Sequence, residues 1–189
     1  NEEFEQKTLL AKRILEKVSG EKVTGYRAPN AFVGGWMLDS LENIGFKYDS
    51  SVSVNSLYNK TDSSLKTVSS FPYYPMENGL EVGNDRNFIE FPWAYYQNVL
   101  KIPASGGPIL RFLGAPLVLN GLIQSLKRGH TIFYFHPIDI SCTKFPSVGN
   151  NRPFYWCMKG KPVEHRISHI LKSMSDVKKV CLRDYQEDE

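Results

Sequence analysis

Near the start of the chain, apolar side chains fall at helical spacing: Phe4, Leu9, Leu10, Ile14, Leu15 and Val18, with Lys and Glu between them. That period predicts an amphipathic helix over 4–18, stopped by Gly20 as a C-cap glycine stops one. Val23 to Tyr26 reads as a short strand running into Arg27-Ala28-Pro29. A second helix is predicted over 32–44, with Trp36, Leu38, Leu41 and Ile44 on one side and Gly45 at its end. Phe46 to Asp49 then forms a strand opening onto Ser50-Ser51. Strand, helix and strand in this order indicate an α/β protein with a parallel sheet.

Beyond residue 53 the rhythm breaks. Asn, Ser, Asp, Tyr, Gly and Pro dominate 53–87 with no sustained period, so a long loop is expected there. A short strand over 88–92 ends at Pro92, and Ser105-Gly106-Gly107-Pro108 marks a turn. Leu117, Leu119, Leu122, Ile123 and Leu126 predict a helix over 117–126, and the apolar run 131–135 a buried strand ending at His136-Pro137. An aromatic-rich loop over 141–160, a helix over 163–174 and a last strand or strand–helix junction over 177–182 complete the reading. No repeat or linker composition divides the chain, which reads as one domain over 1–189.

Composition narrows the function classes. A chain of 189 residues, 41% hydrophobic, buries one sizeable core. Its net charge of +3 comes from 23 basic and 20 acidic residues without a block of one sign, so no nucleic-acid-binding arm is expected. No run approaches the roughly 18 apolar residues that span a bilayer. Cys142, Cys157 and Cys181 fit neither a disulfide framework nor metal-site spacing. The odd count leaves a free thiol and favours a reducing compartment, although a Cys142–Cys157 bridge stays open and the compartment is undecided. Aromatics at 13% suit either a carbohydrate-facing surface or an aromatic-rich core.

Candidate chemistry begins at Arg27. Pro29 restricts Ala28 to extended geometry, which stiffens the backbone after the strand and aims Arg27 reproducibly. Its guanidinium keeps its charge and can fork onto a carboxylate, or it can be a surface arginine at a strand end. His136 follows an apolar strand-like run, at the kind of strand end where α/β enzymes place catalytic groups. Imidazoles move protons near neutral pH; the competing reading is a histidine that caps its strand. Asp139 either orients His136 or begins a turn. Arg27 and His136 are both expected at carboxyl ends of strands, facing one cleft.

Several stretches occur in a telling order: Arg27-Ala28-Pro29, Tyr48-Asp49-Ser50-Ser51-Val52, Glu90-Phe91-Pro92, Ile102-Pro103-Ala104-Ser105-Gly106-Gly107 with Arg111, and Phe133-Tyr134-Phe135-His136-Pro137. Together with the helix that precedes them, they resemble the polysaccharide deacetylases, the NodB-homology domains of carbohydrate esterase family 4, across essentially the whole chain. The resemblance implies the C-terminal portion of a distorted (β/α) barrel that removes N-acetyl groups from an N-acetylhexosamine-containing polysaccharide. It implies a divalent metal, zinc above all, in the intact domain. In the family a Thr-Phe-Asp-Asp motif supplies base and ligand, a His-x-x-x-His motif supplies further ligands, the Arg-x-Pro arginine pairs with the catalytic aspartate, and a late histidine protonates the leaving amine. Only Arg27 and His136 carry over directly. Asp49 falls where the family has a further acidic or aromatic motif, and Tyr134 replaces the leucine of the usual Leu-x-His, which changes the pocket wall.

The metal-binding half of that pattern is not in these 189 residues, so the other half of the same domain is the partner the resemblance calls for. No Asp-Asp pair occurs, and the chain alone is expected to hold no tight metal. His165 and His169 have ligand spacing, i and i+4, but follow rather than precede the other motifs and read as an ordinary solvated or interface helix. The clusters Phe71-Pro72-Tyr73-Tyr74-Pro75, Trp93-Ala94-Tyr95-Tyr96 and Phe154-Tyr155-Trp156 either stack on sugar faces or pack loops, with Trp93 the first choice for a substrate-side ring. Arg111 fixes the Gly106-Gly107 loop or binds an anionic part of the substrate. Three classes remain in play: a glycan N-deacetylase, a non-catalytic homologue that binds glycan or a partner, and an amidase of small cyclic amides or ureides. Oligomeric state is not legible.

Overall fold

The computed structural model describes residues 1–53, 69, 71–84, 86–99, 101–143 and 158–185. The chain is mixed α/β and forms two compact units, Asn1–Trp93 with Lys179–Glu189, and Ala94–Lys178.

In the first unit, helix α1 (Glu2–Ser19) carries Glu2, Glu3 and Glu5 in its first turn and Lys17 in its last, each the favourable sign for the helix dipole. Gly20, at φ 73°, closes it by donating its N–H to the Glu16 carbonyl at 2.9 Å. The helix docks through Phe4, whose ring meets Trp36 and Tyr26 edge-on at 5.5 and 6.2 Å. Strand β1 (Gly25–Tyr26), helix α2 (Gly35–Asn43), strand β2 (Tyr48–Asp49) and strand β3 (Ile89–Glu90) follow. The strands form a parallel sheet in the order β1-β2-β3, with Tyr26 opposite Asp49 and Asp49 opposite Glu90. Leu38 and Leu41 on α2 are fully buried, as the helical period predicts. The Tyr48 ring lies where a Cβ on Gly25 would stand, so the glycine admits it.

Boundaries move by a few residues from the sequence reading, because fewer residues pair than are apolar. The stretch 177–182, predicted as a last strand or a strand–helix junction, is unpaired backbone leading to a 3-10 turn at Leu182–Asp184. Just beyond it, Tyr185 packs edge-on against Phe91 at 5.0 Å.

The second unit contains a feature that the periodicity does not announce. Strands β4 (Tyr95–Gln97) and β5 (Lys101–Pro103) form an antiparallel pair, with Tyr96 opposite Ile102. Helices α3 (Pro108–Phe112) and α4 (Gly114–Leu126) follow, then α5 (Pro137–Ile140) and α6 (Lys161–Ser173). Helix α4 lies directly on the β4–β5 pair because Gly121 has no side chain; a Cβ there would meet Ala104 and the Tyr96 backbone. The core gathers Ala94, Leu110, Val118, Leu122, Val163, Ile167 and Ile170. On α6 the buried Val163, Ile167 and Ile170 repeat at helical spacing, while His165 and His169 are exposed.

The run 131–135 is not a paired strand. Ile132 is buried, but no ladder bonds are assigned there, and the Tyr134 N–H donates to the Ser105 hydroxyl at 3.2 Å instead. Apolar content reads alike for a strand and for a buried extended segment, which is why periodicity alone mistakes one for the other. The segment passes so close to Gly106 that a Cβ on that glycine would collide with the Tyr134 carbonyl oxygen. Gly106→Ala is therefore expected to destabilise the protein by about 1–3 kcal/mol, the usual range for forced overpacking. Chemical denaturation of the variant beside the parent checks this, and an unshifted midpoint would contradict the close approach.

Candidate functional site

Residues at the carboxyl ends of the three parallel strands form a connected cluster. Ala28 is extended (φ −64°, ψ 134°), as the following proline requires, and Asn30 and Ala31 both take left-handed φ of 56° just beyond it. For a buried alanine that conformation is uncommon, so the turn after Arg27 is held by its surroundings. The Arg27 guanidinium donates to the Ser50 hydroxyl at 2.6 Å, and that hydroxyl donates to the Phe91 carbonyl at 2.7 Å. Arg27 also lies over the Trp93 ring, 5.6 Å from its centroid, while the indole N–H donates to the Ser50 carbonyl at 2.9 Å.

Behind this half-buried face stand two carboxyls, Asp49 and Glu90, both fully buried and opposite each other in the ladder. Asp49 Oδ1 accepts from the Ser51 hydroxyl at 2.8 Å, and Ser51 Oγ accepts the Ala28 N–H at 2.7 Å. Glu90 Oε1 accepts the N–H groups of Ser51 and Val52 at 3.2 and 2.9 Å. Asp49 Oδ2 and Glu90 Oε2 are buried without a hydrogen-bond partner among the described residues, and each carboxyl lies close enough to shift the other's titration. Two carboxylate oxygens only accept, so a bond between these carboxyls would require a proton between them.

Burial is the leading cause that pushes Asp49 up to about 6, although bonds from Glu90, Ser51 and Ser50 and the charge of Arg27 oppose it. Burial, then the charge of Asp49, holds Glu90 well above the usual carboxylate range. The neighbouring phenols are raised as well. Tyr73 shifts mainly by burial and then by Glu90 and Asp49; Tyr26 shifts by burial and then by Asp49.

The second unit has its own cluster. Arg111, 3% exposed, forms a salt bridge through Nη2 and a 2.6 Å bond through Nε to Asp139 Oδ1, which is fully buried. Asp139 Oδ2 accepts the backbone N–H of His136 at 2.8 Å. Asp139 therefore fixes the chain at His136 rather than its imidazole. The ring itself is exposed and stands edge-on to Tyr134 at 5.4 Å.

The residues singled out from the sequence thus fall into two groups. Arg27, Asp49 and Trp93 come together in the first unit; Arg111, Tyr134 and His136 do so in the second. Arg27 stands at the end of β1 as expected, whereas His136 follows the unpaired 131–135 segment. Asp49 and Arg111 present no surface to a ligand in this conformation and act through their neighbours. Glu90 was visible as the start of Glu-Phe-Pro, but its role needed the β2–β3 register. In the aromatic clusters, Phe71 and Trp93 keep exposed surface while Tyr73 and Tyr95 are buried; Phe154, Tyr155 and Trp156 lie outside the described residues, as does Cys157. Cys142 and Cys181 are free thiols.

A protein-family model described as a domain of unknown function, DUF3473, matches residues 53–179. That span contains Glu90, Trp93, Arg111, Tyr134 and His136, and begins after Arg27 and Asp49. No curated protein and no solved structure matches the chain.

The carboxyl pair makes stability depend on pH in a definite direction. Both groups titrate higher in the folded chain than in the unfolded one, so the folded chain holds more protons and this contribution falls as pH rises. The loss begins near ~4, the ordinary carboxylate value, passes about 6 for Asp49 and extends above it for Glu90. Each excess proton steepens the loss by about 1.4 kcal/mol per pH unit. Urea denaturation at a series of pH values should show a flatter profile over that window for the double variant Asp49→Asn, Glu90→Gln. A profile identical to the parent's would rule against the raised pair.

A second expected outcome concerns Asp139→Ala, which leaves the Arg111 charge buried without its partner. A destabilisation of about 3–5 kcal/mol follows for a broken buried pair, read in the same denaturation assay. A loss under about 1 kcal/mol, the scale of exposed pairs, would show that Arg111 is solvated instead.

Proposed function

The chain belongs to that family, known as the polysaccharide deacetylase-associated domain, and from this premise we propose that it is the C-terminal portion of a polysaccharide N-deacetylase of the NodB-homology type. In this reading the sheet is part of a distorted (β/α) barrel, and the substrate is a glycan containing N-acetylhexosamine. The observation that carries the reading is Arg27 at the carboxyl edge of a parallel sheet, stacked on Trp93 and backed by a buried acidic pair. Such edges are where α/β folds gather reactive groups.

The chemistry calls for a divalent ion, which would activate a water and polarise the acetyl carbonyl when bound. Among the described residues no three His, Cys, Asp or Glu side chains gather at one point. This chain's described residues do not fit such an ion, and in the proposed enzyme it would be held by residues outside these 189.

The chain's own contributions are positional and acid–base. Arg27 offers a guanidinium held by Ser50 and Trp93, suited to fork onto a catalytic carboxylate. Trp93 offers a partly exposed ring suited to a sugar face. His136, exposed at the start of α5, donates a proton to the leaving amine, with Tyr134 against the edge of its ring.

Kinetics of the complete enzyme on one chitooligosaccharide test these roles separately. His136→Ala is expected to lower kcat by about 10²–10⁴-fold with little change in KM, the mark of an interaction made in the transition state. Arg27→Ala should also lower kcat, because the carboxylate it pairs with becomes misoriented and more basic. Trp93→Ala should raise KM. An unchanged kcat in His136→Ala would remove the acid role and favour a non-catalytic, glycan-binding protein.

A further inference from the structure

Asp49 and Glu90 are unused by the reaction proposed above, yet they are the most heavily constrained ionisable groups of the first unit. Full charge on both would set two buried anions against each other without water to screen them. The described groups that face the pair are Arg27 and Tyr26 from the β1 end, Ser51 and Val52 beyond β2, and Tyr73, whose backbone bridges to Glu90. Of these only Arg27 is cationic, and one guanidinium balances one carboxylate. Hydrogen bonding points the same way, since Asp49 Oδ2 and Glu90 Oε2 are buried without a partner among the described residues and one proton between the carboxyls would serve both.

We propose that Asp49 and Glu90 share a single proton, and that this proton sets how Arg27 and Trp93 are held. The connection is short and runs through hydrogen bonds of the adjacent residues Ser50 and Ser51. Ser51 Oγ joins Asp49 to the N–H of Ala28, the residue after Arg27. Ser50, between the two, receives the guanidinium on its hydroxyl and the Trp93 indole on its carbonyl. Loss of the proton adds a second negative charge behind Ser50 and Ser51. It pulls the guanidinium inward or opens the Ser50–Ser51 bend, and either change moves the Trp93 ring. The Arg27–Trp93 face thereby responds to pH through carboxyls that no ligand reaches, and Glu90 acts as a positioning residue. None of this depends on the deacetylase reading.

The test needs no substrate. Carbon-13 NMR of the side-chain carboxyls and nitrogen-15 NMR of the Trp93 indole, assigned with Trp93→Phe, would follow the 189-residue chain across the pH range in which it stays folded. The expected result has one carboxyl of the pair protonated at neutral pH, with Asp49 and Glu90 changing together and the indole shifting at the same midpoint. Glu90→Gln replaces the shared proton with an amide donor; Asp49 should then stay ionised at neutral pH, and the indole step should vanish. Tyr26→Phe should keep the step, separating the pair from the nearby phenol. Should Glu90→Gln not fold, Asp49→Asn supplies the same neutral donor from the other side, with Glu90 then ionised and the step again lost. Two ionised carboxyls at neutral pH in the parent, or an indole step surviving the amide variants, would overturn the proposal.

Discussion

The parallel register that sets Asp49 opposite Glu90 is the constraint on which the sheet edge depends. Ladder pairing puts two acidic side chains onto the same side of the sheet, and both are fully buried. Buried acidic groups must then be neutralised or bonded. Ser51, Val52 and a shared proton do this, and in doing so they fix the bend that presents Arg27 and Trp93. A buried polar network of this kind is weak evidence for stability. Its structural consequence lies in the Ser50–Ser51 bend, whose hydroxyls and N–H groups serve Asp49 Oδ1, Glu90 Oε1 and the Phe91 carbonyl.

The Ala94–Lys178 unit solves a related problem with opposite charges. Arg111 and Asp139 compensate each other without a proton, and Asp139 spends its second oxygen on the His136 backbone. Arg166 donates to the carbonyls of Leu110 and Arg111, so α6 also braces the end of α3. The exposed imidazole thus rests on a backbone that is fixed from beneath. In each unit a candidate functional side chain is partly exposed while the charges that position it are buried. Such a division suits groups that must meet a ligand in a reproducible geometry.

Legibility followed the physics of each element. Helices α2, α4 and α6 were readable because one face of each is buried and that difference is written at helical spacing, and α1 showed the same spacing although none of its residues is buried. Gly20 and Gly45 marked helix ends because a left-handed terminus favours glycine. The β4–β5 pair was not readable: Tyr95-Tyr96-Gln97 and Lys101-Ile102-Pro103 are short, and no Asn-Gly or Asp-Gly turn joins them. The run 131–135 misled for the converse reason, since its apolar side chains are those of a strand while its backbone finds a hydroxyl partner instead of a ladder.

The sequence by itself determined the α/β class, the parallel sheet, and the choice of Arg27, Trp93 and His136 as residues beside short apolar runs punctuated by proline. Those properties are local: a proline restricts its neighbour, and a period selects a face. Only the tertiary structure decided that Glu90 belongs with Asp49, that Arg111 is neutralised by Asp139, and that Asp139 holds the backbone of His136 rather than its ring. These depend on strand register and on burial, and both arise from contacts between segments far apart in the chain. A carboxyl's charge and reach are properties of its surroundings, and the surroundings exist only once the chain has folded.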